Sequence, residues 1–140
     1  IVGEVHNEIY SYFRLPLTPR LLGFDPMMQF VHEADVVQAL RLALRPGVRG
    51  IFNVGGPGVL PLSQVIARVG RTAVPVPHFL ARGLLDRLWR LGFTDFPGRE
   101  IDYLRYVCMV DDRRARRELG YAPRKTLDET ISSIREAFKE

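Results

Sequence analysis

The 140-residue chain has a single cysteine, Cys108, so it can build neither a disulfide framework nor a cysteine-based metal site. In "YVCMV" that cysteine reads as a small buried hydrophobe, with no flanking base or helix start to lower its pKa. No apolar run approaches the roughly 18 residues of a membrane span, and no basic-then-apolar leader opens the sequence. A reducing, cytoplasmic setting is the expectation. The chain begins at Ile1, without a methionine and inside an apolar run, as a cut or processed chain would. Lysine is nearly missing as well. Of 20 basic side chains only Lys125 and Lys139 are lysines, which leaves 18 arginines.

What is present is globular in composition: 46% hydrophobic and 26% charged residues. A net charge of +4 and many arginines raise nucleic acid as a partner. The arginines are scattered, however, except in "DDRRARRELGY", where Asp112 and Arg116 stand four apart as a helical ion pair would. No strand motif interleaves aromatics with them. A solvated helix face is expected there, and nucleic-acid binding is disfavoured.

Short strands alternating with helices place the chain in the α/β class. "MMQFVH" (27–32) reads as a strand after the turn "GFDP". Asp35 is expected to cap a helix with Val36, Leu40 and Leu44 on one face, ended by Pro46 and Gly47. "GIFNV" reads as a short buried strand, and Ser63 as the cap of a helix that Gly70 stops. "AVPVP" is extended because of its prolines. Residues 78 to 92 form an apolar helix with Leu80, Leu84, Leu88 and Leu91 at helical spacing and Trp89 as core. "RYVCMV" reads as a strand closed by Asp111 and Asp112, followed by a helix "RRARREL" that stops at Gly120. Thr126 and Glu129 make a capping box for a last helix lined by Leu127, Ile131, Ile134 and Phe138.

Three stretches imitate functional motifs. "GIFNVGGPGVLPLSQVIARVG" has the strand–glycine–helix order of a dinucleotide fingerprint, with Gly56 and Gly58 at its first two glycine positions. Pro61 stands at the third, and residues 74 to 82 hold no acid at the expected ~20-residue distance. A tight structural loop is the reading that remains. "HEADV" (32–36) opens like H-E-x-x-H but has Val36 where the second histidine belongs, so no metal site is expected. Tyr121 and Lys125 form a Y-x-x-x-K, but Pro123 between them argues against the helix that would align the pair.

Three longer stretches occur in one order. "QFVHEADVVQALRLAL" resembles the F-V-H-x-x-D-V segment of the extended short-chain dehydrogenase/reductase family, the NAD-dependent epimerases and dehydratases. "GIFNVGGPGVLPLSQV" is similar to that family's next strand, loop and capped helix. "VDDRRARRELGYAP" resembles its closing D-x-x-[KR]-A-x-x-E-L-G-[WY]-x-P, through Asp111, Arg114, Ala115, Glu118, Leu119, Gly120, Tyr121 and Pro123. The match runs from about Gly23 onward.

The resemblance implies the C-terminal, substrate-binding portion of an extended Rossmann-type dehydrogenase or epimerase, lacking the nucleotide-binding half. It implies that the parent uses NAD or NADP, that the catalytic tyrosine and lysine precede residue 1, and that residues 1 to 140 alone bind no cofactor. This segment would supply one wall of a pocket for a small-molecule substrate. Its lining would come from Met28, Gln29, Phe30 and His32 at a strand end, from the helix beginning at His78, and from Arg99. His32 also has a plainer reading as a structural histidine. Family members acting on UDP-sugars often grip the diphosphate with arginines just before the F-V-H strand and before the closing motif. Met28 and Gln29 stand at the first place, and Glu100 and Ile101 near the second with Arg99 and Arg105 close by, which favours an unphosphorylated or apolar substrate. The partners implied are the missing N-terminal half and a second copy in a homodimer. Two rival readings are a non-catalytic binding or regulatory module of the same fold and a small basic nucleic-acid-binding protein.

Overall fold

The structure, a computed structural model, describes residues 1–3, 8–92, 104–107 and 109–138. Helix α1 (Glu8–Arg14) leads into strand β1 (Leu17–Leu21) and the two-residue strand β2 (Met27–Met28). Helix α2 (Glu33–Ala43), β3 (Leu60–Pro61), α3 (Leu62–Arg68), β4 (Thr72–Val76) and α4 (His78–Arg90) follow. A π-helical turn (Ala115–Leu119) and α5 (Leu127–Glu136) complete the described order.

Strands β1 and β4 pair in parallel, with Leu17 opposite Thr72 and Leu21 opposite Val76. Their connection carries α2 and α3, as a parallel pair needs a long crossover. The antiparallel pair β2–β3 sets Met27 opposite Pro61. Val2 extends this second group: its N–H donates to Val31 O (2.9 Å) and its carbonyl accepts from Glu33 N (2.8 Å). Neither pair was legible in advance. Pro19 and Pro75 interrupt β1 and β4, and a proline inside a strand is tolerated only where one side needs no ladder bond.

Most of the core lies where α1, α3 and α5 meet the strands: Phe13, Leu21, Leu62, Ile66, Ile131 and Ile134 are buried together. A smaller cluster joins α2 to the π-helical turn through Ala39, Leu42, Ala115, Leu119 and Tyr121. Helix α5 forms as its sequence predicts. Glu129 N–H donates to Thr126 Oγ1 (3.2 Å), and Thr126 N–H donates to Glu129 Oε2 (2.7 Å). Gly70 (φ +80°) ends α3, and Gly120 (φ +70°) ends the π-helical turn, both in the left-handed region that favours glycine.

Several expectations are overturned. Asp35 is not the cap of α2; His32 is, its Nδ1 accepting from Ala34 N (3.1 Å). Asp35 lies one turn further in, buried, and accepts from the backbone of Arg124 and Lys125. The buried face of α2 is therefore Asp35, Ala39 and Leu42, while Leu40 is exposed and Leu44 is 84% exposed. A carboxylate with partners inside the fold outweighs the apolar stripe in setting which way the helix turns. Ser63 does not cap α3 with its own side chain. It receives a borrowed cap, its N–H donating to Asp25 Oδ1 (2.8 Å) and its hydroxyl to Asp25 Oδ2 (2.6 Å).

"GIFNV" is not a strand. Ile51 is 85% exposed, and side chains hold this stretch instead of a ladder: Arg114 donates to Ile51 O (3.2 Å) and stacks over Phe52 (4.8 Å). The described part of "RYVCMV" is irregular too, with Tyr106, Val107, Met109 and Val110 exposed; Cys108 lies outside the described residues. Trp89, expected in the core, is 50% exposed, because α4 turns Ala81 inward and presents Phe79, Leu80 and Trp89 outward.

Candidate functional site

Residues 28 to 31 run beside the glycine loop and the strand that follows it. Met28 is buried in the core opposite Leu60. The Gln29 amide is a clip between two segments: its Nε2 donates to Gly56 O (3.2 Å), and its Oε1 accepts from Val110 N (2.9 Å). Phe30 is buried, and its carbonyl oxygen lies 1.7 Å from where a Cβ on Gly56 would fall. Only glycine permits that approach.

Neighbouring segments pack closely against this loop. The space a bound pyrophosphate needs beside the first glycine is filled by the backbone of Phe30. Gly58 (φ +74°) abuts Leu127 on its other side, and the helix that follows, α3, is seven residues long with Pro61 before it. Gly55 O accepts from the Tyr121 hydroxyl (2.9 Å), so the loop is tied into the fold at both ends.

Tyr121 and Lys125 do not stand on successive turns of one helix. No helix joins the two residues, and the Lys125 Nζ lies 3.6 Å from Glu129 Oε1. Burial, with Asp35 and Asp112 nearby, pushes the Tyr121 hydroxyl up to about 12. An acid/base tyrosine needs the opposite shift. Among the described residues no cluster of three or more metal-ligating side chains occurs.

A second set of groups meets at the carboxyl ends of the parallel strands, where ligands sit in open α/β sheets. The chain turns sharply after β1 at Gly23 (φ +82°), with Leu22 N–H donating to Val76 O (2.9 Å) and Phe24 N–H to Leu21 O (3.1 Å). This turn carries Phe24 back toward Arg20, whose Nη1 donates to Phe24 O (2.7 Å). Arg105 lays its guanidinium over the Phe24 ring at 4.9 Å and beside Tyr106 at 5.3 Å. The Nε atoms of Arg20 and Arg105 are both buried without a hydrogen-bond partner among the described residues. A buried donor left unpaired is costly, and here two lie on arginines that both contact Phe24, Arg105 at its ring and Arg20 at its carbonyl. His78 opens α4 two residues beyond the end of β4, at the same end of the sheet.

Of the sequence-predicted residues, Met28, Gln29 and Phe30 thus lie beside the glycine loop and the strand that follows it, His32 caps α2 instead, and His78 stands at the strand ends. Arg99 lies outside the described residues, as does Phe93 at the expected end of the pocket helix. Arg20 and Phe24 were missed. Their only signal is the strand β1 that places them, and Pro19 hides it.

The architecture is that of the C-terminal portion of extended short-chain dehydrogenase/reductase and epimerase structures. UDP-glucuronic acid 4-epimerase from Bacillus cereus, solved with NAD, aligns with a TM-score of 0.64 at 14% identity, over 99% of this chain and 41% of that one. RMD from Pseudomonas aeruginosa, complexed with NADPH, gives 0.64 at 15% identity over 99% and 44%. UDP-glucose 4-epimerase from Thermotoga maritima, with UDP-glucose, gives 0.60 at 22% identity over 94% and 38%.

Among curated proteins, an uncharacterized protein of Mycobacterium tuberculosis is 42% identical over 141 residues, covering 99% of this chain and 36% of its own length. Another from the same organism is 27% identical over 134 residues, covering 94% of this chain and 14% of its own length. The chain therefore spans well under half the length of the curated relatives it matches. No family model matches the sequence. No helix among the described residues is long and apolar enough to cross a membrane.

Proposed function

We propose that this chain is the substrate-binding part of an NAD(P)-dependent epimerase, dehydratase or reductase whose cofactor-binding and catalytic groups lie outside its 140 residues. The observation that carries the reading is the fold, which follows an NAD-bound epimerase over 99% of this chain and only 41% of that enzyme. The close approach of Phe30 to Gly56 and the raised Tyr121 hydroxyl are consistent with structural roles for both. In the parent the nicotinamide supplies hydride transfer. The residues of this chain bind and orient the substrate. Arg20, Phe24 and Arg105 at the strand ends are the binding groups, with His78 opening the helix beside them. Gln29 and Gly56 hold the neighbouring loop in place.

The Arg20–Arg105 pair alters the expected substrate preference. Met28 and Gln29 face inward to the fold, so an arginine grip at that place is absent, but two unpaired guanidinium donors stand elsewhere. An anionic substrate is accordingly kept within reach. Calorimetry with UDP-glucose, on the longer parent protein, tests this. Binding that falls about tenfold in Arg105→Gln and Arg20→Gln, as loss of a charge-assisted hydrogen bond should cause, supports a grip that has moved. Tight binding unaffected by either change, or NADH binding by the 140-residue chain alone, overturns the reading.

A further inference from the structure

A groove of about 520 Å³ opens between α2 and the segment from Gly120 to Lys125, at a different place from the strand-end cluster. Four cationic side chains line it: Arg41 and Arg45 from the C-terminal end of α2, Arg124 and Lys125 from the loop before α5. The one carboxylate in its wall, Asp35, is already occupied, one oxygen accepting from Arg124 N (2.8 Å) and the other from Lys125 N (3.3 Å). Arg41, Arg45 and Arg124 have no carboxylate partner among the described residues, and Lys125 reaches Glu129 only at 3.6 Å. In the neighbouring segment three arginines do pair, Arg113 with Asp111, Arg114 with Glu118 and Arg116 with Asp112. Gln38, also in the wall, buries its Oε1 with no hydrogen-bond partner.

Cations near a helix C-terminus are favoured by the helix dipole, by about 0.3–1 kcal/mol each. That accounts for Arg41 and Arg45 but not for Arg124 and Lys125, which a buried carboxylate draws in from the far end of the sequence. Like charges gathered from two elements repel weakly, and an anion among them would relieve that repulsion. Guanidinium groups from two elements suit a phosphate bidentately, and a turnable amide serves a phosphate oxygen or a hydroxyl. Among the described residues no aromatic ring lines the groove, so it shows no stacking platform of the kind single-stranded nucleic acid uses.

We propose that this groove binds the di- or triphosphate group of a small molecule. Calorimetry on the 140-residue chain with pyrophosphate, ATP and a single-stranded DNA oligonucleotide, each at about 50 and 150 mM salt, tests it. Pyrophosphate and ATP bind saturably, and Arg41→Gln/Arg124→Gln lowers affinity by about tenfold or more. The control Arg87→Gln/Arg90→Gln, which removes two exposed charges from α4, changes affinity by less than about twofold. Phenylglyoxal labelling read by mass spectrometry gives an independent check, with pyrophosphate protecting Arg41, Arg45 and Arg124 but not Arg87 or Arg90. Equal weakening in the two double variants, no saturable binding, no selective protection, or binding of the oligonucleotide alone overturns the proposal.

Discussion

At the scale of single residues, Gly56 and Tyr121 fix the loop that looks like a cofactor fingerprint. A methyl group on Gly56 would collide with the Phe30 carbonyl oxygen, and the atoms it meets are backbone of Phe30 and Val31, which has little freedom to yield. We expect Gly56→Ala to cost about 3 kcal/mol in urea unfolding, the upper part of the range for overpacking. Gly70→Ala meets open space and is strained only by its φ of +80°, so it should cost about 1 kcal/mol. Equal losses would sink the steric account. Tyr121→Phe should cost about 1 kcal/mol at neutral pH by leaving Gly55 O without its donor.

The same tyrosine sets an alkaline limit. Its folded pKa of about 12 lies above the usual 10.0, so folding favours the protonated hydroxyl. That contribution is complete below pH 10 and disappears as pH rises through about 12. Stability should therefore decline across this window, less steeply in Tyr121→Phe. Some decline should remain, because burial also raises Tyr10 and Tyr12. Denaturant melts from neutral to alkaline pH check this, and an unchanged slope in Tyr121→Phe would contradict it.

At the scale of elements, local signals were legible and non-local ones were not. Helix α5 announces itself through Thr126, Glu129 and the Leu127–Ile131–Ile134–Phe138 stripe; the box and the first three apolar positions form on the helix, while Phe138 falls beyond its end at Glu136 and still packs on the core. Its box makes a prediction with a sign. Hydrogen bonds from the Thr126 backbone and hydroxyl hold the Glu129 carboxyl below its usual 4.5, so folding favours the ionised form. The contribution is present above that value and is lost as pH falls through the lowered one. Thr126→Ala should cost about 1 kcal/mol at neutral pH and flatten the acid side of the stability profile, as Glu129→Gln should. An acid limb identical in all three proteins would refute the assignment. By contrast, β1 was invisible because its partner β4 is 50 residues away and prolines interrupt both. Asp35 was misread for a related reason. Its acceptors' partners at Arg124 and Lys125 are far along the chain, while the nearer His32 caps the helix. Arg20 and Phe24 escaped notice with the strand that carries them.

At the scale of the whole molecule, much apolar surface is exposed among the described residues. Val37, Leu40 and Leu44 on α2, Ile51 beyond it, and Phe79, Leu80, Trp89 and Leu91 along α4 are all exposed. Among the described residues β1 and β4 also pair only with each other, although parallel strands are normally buried within larger sheets. Patches beyond a few hundred Å² are rare on soluble monomers, and an open strand edge invites pairing with another chain. We therefore expect the isolated chain to bind a hydrophobic dye and to self-associate, in a concentration-dependent way by analytical ultracentrifugation. Leu40→Glu/Leu44→Glu, on the outer face of α2, should reduce both signals without unfolding the protein, since neither side chain is in the core. If the remaining length of the longer relatives covers these faces, supplying it as a separate chain should suppress dye binding and yield a defined heterodimer. A cooperative, monomeric, dye-silent melt of the 140 residues alone would show instead that these surfaces are tolerated and the segment is an independent domain.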